Sequence, residues 1–253
     1  MKVKEYDRFF GAKISRELSM SWDNDGLMCC PDPEREVRRV LAVLDITEEA
    51  VDEAIRGGYD LILSHHPLVF RGIKSLTDRD GVGRKLLKLV QNGISAMSFH
   101  TRLDALTGGV NDLLAASLGL TEVIPFGAEQ IGRVGKLQKE MSPEEFALLV
   151  KDALHAPTVS LSSAGRRVSR VAVLGGSGRD DLFAAIAAGA DIFLSGELGY
   201  HTMVDAPENG VSLVEAGHFY TEYPICRWLC DAVRELDPTV DCEVFFTDRI
   251  QVI

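Results

Sequence analysis

The chain has no apolar run of the roughly 18 residues that a membrane-spanning helix needs. Its start, MKVKEYDRFF, carries no stretch like the apolar region of a signal peptide. A cytoplasmic protein without a membrane partner is expected. No CxxC pair occurs, and the cysteine count is odd: Cys29, Cys30, Cys226, Cys230 and Cys242. This excludes a disulfide framework or a zinc knuckle, and all five are expected to be structural thiols. Cys226 and Cys230, four apart in a helical stretch, should share a buried face. Positive charge is scarce: 27 Lys and Arg against 38 Asp and Glu leave a net charge of −11. A general binder of nucleic acid or anionic membrane is thereby excluded, since phosphate backbones are held by clustered Lys and Arg. A small phosphorylated substrate neutralised by metal is still admitted. Low-complexity segments and long linkers are also lacking.

What is present is an ordinary globular composition, 46% hydrophobic and 26% charged, in 253 residues. That length supports one large domain or two small ones. Val40 to Leu44 is a short apolar run of β type. Thr47 can cap a helix whose first turn carries Glu48 and Glu49 and whose apolar face is Val51, Ala54 and Ile55. Gly57-Gly58 ends that helix, and Leu61 to Leu63 follow as a strand. Ser142-Pro143-Glu144-Glu145 is a helix start with a capping box and Pro at the first helical position. This is the rhythm of a layered α/β fold.

An internal repeat lies beneath the rhythm. RVLAVLDITEEAVDEAIRGGYDLILSHHP, from Arg39, matches RVAVLGGSGRDDLFAAIAAGADIFLSGELGYH, from Arg170. The spacing from Arg39 to Asp60 (60 − 39 = 21) equals that from Arg170 to Asp191 (191 − 170 = 21). A second block agrees in the same order: GISAMSFHTRLD from Gly93 and GVSLVEAGHFYTE from Gly210 each give a strand and then a His with a carboxylate four residues on. The expected fold class is therefore α/β, two similar halves from an internal duplication, with halves 1–125 and 126–253. The pattern weakens near Pro125-Phe126-Gly127.

Five of the six histidines, His65, His66, His100, His201 and His218, fall in polar clusters after the repeat's strands; His155 is elsewhere, near a helix end. In open α/β sheets, ligands bind beyond the carboxyl ends of strands. In SHHP, Pro67 keeps His66 extended, so two neighbouring imidazoles can serve two metal ions. Read alone, the pair is as well explained by hydrogen bonding at a surface. His100 with Asp104, and His218 with Glu222, add an imidazole and a carboxylate each, and a carboxylate can bridge two cations. Helix capping and packing are the competing roles for each member. The duplicated frame favours metal: His65, His66, Asp104, His218 and Glu222 are the expected ligands. Glu197 and His201, in the second copy's version of SHHP, are read as groups that orient ligands or touch substrate. GGSG at 175–178, after a strand and before a helix, is read as a tight turn. No P-loop Lys follows it, and Asp180 and Asp181 would repel an anion.

These motifs, SHHPLVF at 64–70, HTRLDALTGGVND at 100–112, GGSG, SGELGYH at 195–201 and GHFYTE at 217–222, resemble the Nif-three-like family, many of whose members are labelled GTP cyclohydrolase I type 2 homologs. The resemblance runs from WDNDGL at 22–27 to the C-terminus. It implies two α/β halves, a homohexameric ring, and a dinuclear metal centre facing the ring's interior. The same five ligands are implied, with Glu222 bridging. The chain departs from the family pattern at Asp25, where WDNVGL has Val, at the residues after WDNDGL, and at Arg102, where Asn is common. It also lacks the domain that longer members insert between the halves.

The function so implied is a metal-dependent hydrolase acting on a nucleotide or phosphoester, with two divalent ions per chain (Zn, Fe, Mn or Ni). His100, Glu197 and His201 are the candidates for acid–base work. The alternative is a non-catalytic metal-handling or scaffold ring.

Overall fold

The computed structural model describes residues 1–253. Helix α1 (Val3–Lys13), strands β1 (Gly26–Cys29) and β2 (Arg39–Val43), α2 (Glu48–Gly57), β3 (Leu61–Ser64), α3 (Gly81–Asn92) and β4 (Ser95–Ser98) come first. Helices α4 (Thr101–Ala105) and α5 (Val110–Ser117), β5 (Thr121–Phe126), β6 (Gly132–Met141), α6 (Pro143–Leu154) and β7 (Ser160–Ser162) follow. The remainder is β8 (Val168–Ser177), α7 (Leu182–Ala187), β9 (Ile192–Glu197), α8 (Tyr200–Glu208), β10 (Ser212–Glu215), α9 (His218–Glu222), α10 (Pro224–Leu236) and β11 (Asp241–Val244). No helix is long and apolar enough to cross a membrane.

Local signals account for the helix ends. Thr47 accepts from the amide of Ala50 at 3.1 Å, and Gly58 terminates α2 in the left-handed region. Ser142 and Glu145 form the expected capping box on α6. His155 ends that helix, exposed and also left-handed.

Contacts group the chain into two compact units, Met1–Leu103 with Ile225–Arg249, and Asp104–Pro224 with Ile250–Ile253. The break expected near residue 125 follows the repeat. The units instead follow strand pairing, because β11 lies beside β2 and returns residues near the C-terminus to the first sheet.

The first unit's sheet has the order β1-β4-β3-β2-β11. β2, β3 and β4 are parallel, in the register Val40↔Leu61 and Leu61↔Ser95, and β1 is antiparallel to β4. The second unit's sheet has the order β5-β6-β8-β9-β10-β7. There β8, β9 and β10 are parallel, and β7 is antiparallel to β10. Each half thus has three parallel strands and one reversed edge strand, as the repeat requires. The halves differ only at the far edge, where the first has parallel β11 and the second has antiparallel β6 and β5.

The repeat's spacing of 21 residues has a physical cause. Asp60 accepts from the amides of Arg38 and Arg39 (2.9 and 3.3 Å), and Asp191 from those of Ser169 and Arg170 (2.9 and 2.7 Å). In both halves the aspartate that opens one strand clamps the start of its parallel neighbour.

Alternation along the strands builds the cores. In the first unit, Leu41, Val43, Ile62 and Ala96 face Val51 and Ala54 of α2 and Leu86 and Leu89 of α3. In the second, Val171, Val173, Ile192 and Leu194 face Phe146 and Val150 of α6, while Ala172, Leu174 and Phe193 face Leu182 and Ala185 of α7. Cys226 and Cys230 do share the buried face of α10, and none of the five cysteines is in a disulfide.

Candidate metal centre

In the first unit the site is built at the carboxyl ends of β2, β3 and β4. The amides of His65 and His66 bond to the carbonyls of Val43 and Leu44 (3.4 and 3.0 Å), so both residues continue β3 alongside the end of β2. Phe99 bonds to the carbonyl of Ser64 at 3.0 Å and delivers His100 beside them. The three imidazoles form a triangle with centroids 4.9 Å (His65–His66), 5.3 Å (His65–His100) and 5.6 Å (His66–His100) apart. One nitrogen from each lies within 4.8 Å of the others. His65 is fully buried and His66 is half-buried.

Two of these rings are held by carboxylates that the sequence reading passed over. Asp45 Oδ1 accepts from His66 Nδ1 at 2.8 Å, and Asp23 Oδ1 accepts from His100 Nδ1 at 2.9 Å. Burial pushes the Asp23 carboxyl up, but hydrogen bonds from His100 and from Thr101, whose amide (3.0 Å) and hydroxyl (2.6 Å) both donate, outweigh it. Asp23 is held well below the usual carboxylate range and is an anion under all ordinary conditions.

In the second unit, the short helix α9 places His218 and Glu222 one turn apart, with His218 Nε2 3.1 Å from Glu222 Oε2. His218 Nδ1 donates to Glu197 Oε1 at 3.2 Å, which gives Glu197 a positioning role. Asp104, on α4, joins this unit through Asn111. The fully buried Asn111 donates to the Asp104 carbonyl (3.2 Å) and accepts from the amide of Gly175 (2.8 Å). His201 is exposed on α8, its ring 5.5 Å from that of Tyr200.

The GGSG segment differs from the expected turn before a helix. Its first three residues are the end of β8, with an irregular register against β9 between Leu174 and Ser177, and α7 begins only at Leu182. Gly176 has φ +67°. A Cβ there would collide with Glu222 Oε1 and lie 3.1 Å from His218 Nε2. The glycine is needed because the backbone passes directly against the His218–Glu222 pair. In the repeat frame Gly176 matches Asp45: each lies six residues beyond its Arg, Arg170 or Arg39. Asp45 lies just past the end of β2 and Gly176 near the end of β8, and each lies against a histidine of its own half. That correspondence was the signal available for Asp45.

Two of the departures from the family pattern, Asp25 and Arg102, are partners. Arg102 Nη2 meets Asp25 Oδ1 at 2.8 Å, and Arg102 Nε meets Asp25 Oδ2 at 2.9 Å; their side chains are 4% and 2% exposed. Ser19 donates to the same carboxylate at 3.0 Å, and Arg102 also donates to the Ile14 carbonyl at 2.9 Å. Asp25 and Arg102 form one buried bidentate pair, with a structural role.

Imidazole nitrogen and carboxylate oxygen without thiolate is a donor set that fits Zn, Fe, Mn or Ni. A carboxylate on the second nitrogen of a ligating histidine fixes the tautomer and raises ligand basicity. Asp45→Asn keeps the shape and removes the charge beside His66. It is expected to lower metal affinity by roughly 10–100-fold, read by competition with a chromogenic chelator. An unchanged affinity would confine Asp45 to a folding role.

Fold and site together define a duplicated α/β protein with histidine–carboxylate clusters at its strand ends. The chain belongs to the Duf34/NIF3 (NGG1p interacting factor 3) family, whose model matches residues 1–252. It is 36% identical over 232 residues to a protein of Clostridium perfringens named GTP cyclohydrolase 1 type 2 homolog, covering 88% of each chain. A protein of the same name from Streptomyces coelicolor is 37% identical over 224 residues, covering 83% of this chain and 78% of that one. Among solved structures, a hypothetical protein of Staphylococcus aureus superposes with a TM-score of 0.89 at 29% identity, covering 100% of this chain and 99% of that one. Reduced HcgD from Methanocaldococcus jannaschii superposes with a TM-score of 0.84 at 28% identity, covering 96% and 97%.

Proposed function

We propose that this protein is a dinuclear divalent-metal hydrolase acting on a nucleotide or phosphoester, with His65, His66, Asp104, His218 and Glu222 as ligands, and that it works as a homohexamer. The observation that carries the reading is the recurrence of carboxylate-held histidines: Asp45–His66, Asp23–His100 and Glu197–His218. With Nδ1 so engaged, Nε2 is the ring nitrogen that would meet a cation or a proton. The relatives named GTP cyclohydrolase 1 type 2 homolog support a nucleotide as substrate class.

The ions would supply Lewis acidity to the attacking water and to the reacting oxygen. The protein's own groups do the rest. Glu197 fixes the tautomer of His218 and Asp45 that of His66. His100, anchored by Asp23 within reach of His65 and His66, is the group placed to carry a proton; of the three acid–base candidates, Glu197 is engaged with His218 and His201 is exposed on α8.

The test is elemental analysis of purified wild type, His65→Ala and Glu222→Ala, followed by GTP turnover in wild type and His100→Gln. The expected result is about two ions per chain in wild type and sharply less in both ligand variants. Turnover should then be lost in His100→Gln with its metal kept. Metal without turnover of any nucleotide or phosphoester would favour a metal-handling ring. No metal after incubation with Zn, Mn and Fe(II) would sink the proposal.

A further inference from the structure

Two large aromatic rings stand exposed beside the histidine triangle of the first unit. Trp22 is 59% and Phe70 is 45% exposed. They meet each other edge to face with centroids 6.1 Å apart, and each meets the His100 ring edge to face, at 6.1 and 6.2 Å. Neither ring sits on slack chain. Asp23, next to Trp22, is tied to Thr101 and His100, and the amide of Met20 donates to the Thr101 hydroxyl at 3.0 Å. The side-chain amide of Asn24 donates to the carbonyl of Val69, which precedes Phe70. Exposing two rings this large is costly, and fixing them beside candidate metal ligands is a preorganised arrangement.

The residues that follow Phe70 add charge. Arg71 and Lys74 are both exposed, and no acidic residue occurs from Pro67 to Thr77, in a chain whose net charge is −11. A ligand that suits all three features has a flat ring to stack, an anionic group for the cations, and oxygen atoms for metal. Nucleoside phosphates have this combination.

We infer that Trp22 and Phe70 form a stacking wall that receives the base of a nucleoside phosphate whose polar end reaches the metal-ligating histidines. The inference rests on the metal reading above and deepens it, by assigning the specificity element for a base. Stacking is tolerant of base identity, because every base has a π-face. The wall therefore selects a nucleotide over a sugar phosphate and discriminates weakly among bases.

The chain has two tryptophans, so Trp228→Phe leaves Trp22 as the only indole. Zinc-loaded Trp228→Phe protein would be titrated with GMP, ribose 5-phosphate and inorganic phosphate, with zinc content measured on the same samples. GMP is expected to quench Trp22 emission saturably, and the other two to leave it unchanged. In an otherwise wild-type chain, Trp22→Ala should weaken GMP binding about tenfold by calorimetry, leave ribose 5-phosphate binding unchanged, and be largely rescued by Trp22→Phe. Equal binding of GMP and ribose 5-phosphate in wild type and Trp22→Ala would overturn the inference. So would Trp22 emission that follows protein concentration instead of ligand, which would make this surface a contact with a second copy. Full zinc content with no quenching defeats the stacking wall alone. Protein that takes up no zinc yet is quenched by guanosine keeps the wall and defeats the metal reading.

Discussion

Arg102→Asn is expected to destabilise the fold by roughly 3–5 kcal/mol, because it strands the Asp25 carboxylate in the interior. Few single changes in this chain should cost more. Both side chains are almost fully buried, and both N–O contacts are short. Removing one partner leaves a charge without water or a counter-charge. That loss is a large part of the total stability of an ordinary domain, about 5–15 kcal/mol. The converse change matters as much. Asp25→Val with Arg102→Asn restores the family pattern at both positions and strands no charge. The double variant is therefore expected to be much closer to wild type than either single variant, with a large favourable coupling. Urea unfolding of the four proteins measures this. Additive losses would show that the two positions are independent, and the account of the departures as one exchanged pair would be wrong.

The second large effect belongs to Gly176. Gly176→Ala should cost stability and lose metal, whereas Gly58→Ala should cost stability alone. The two glycines have the same φ, +67°, so the backbone penalty for a side chain is common to both, about 1–2 kcal/mol. They differ in surroundings. A Cβ at Gly58 meets nothing within 4 Å, and one at Gly176 runs into Glu222 and His218. Glu222 is nearly buried, so its carboxylate has little room to retreat. Thermal unfolding of the two variants, with zinc content beside it, separates the terms. Equal metal content in Gly176→Ala and Gly58→Ala would mean that the His218–Glu222 pair tolerates displacement, and that the glycine serves the bend of β8 only.

Sequence periodicity and caps marked the elements that carry the site. Thr47, Gly58 and Ser142 act within four residues of themselves, which is the range over which a linear pattern carries contact information. The duplication was legible for a similar reason, since it recurs in register: the Arg-to-Asp spacing reflects a clamp made once per half. The histidines were conspicuous because five of the six cluster at strand ends. Their supporting carboxylates were not, because Asp23 and Asp45 are two among 38 acidic residues and carry no local mark.

Those partners were settled by strand order. Asp23 meets His100 across 77 positions, and Asp25 meets Arg102 across the same distance, because β1 runs antiparallel to β4 in the register Gly26↔Ser98. Asp45 meets His66 because β2 and β3 are parallel neighbours that end together, at Val43↔Ser64. Gly176 had the appearance of a turn glycine until β8 was seen to continue through it, past the His218–Glu222 pair. Residue type and local spacing were enough to set the elements, the repeat and the donor atoms. Which acid holds which imidazole, and which glycine must be a glycine, depended on pairing between distant strands, since a hydrogen bond or a collision is decided by separation in space and a one-residue slip in register would reassign every one of them.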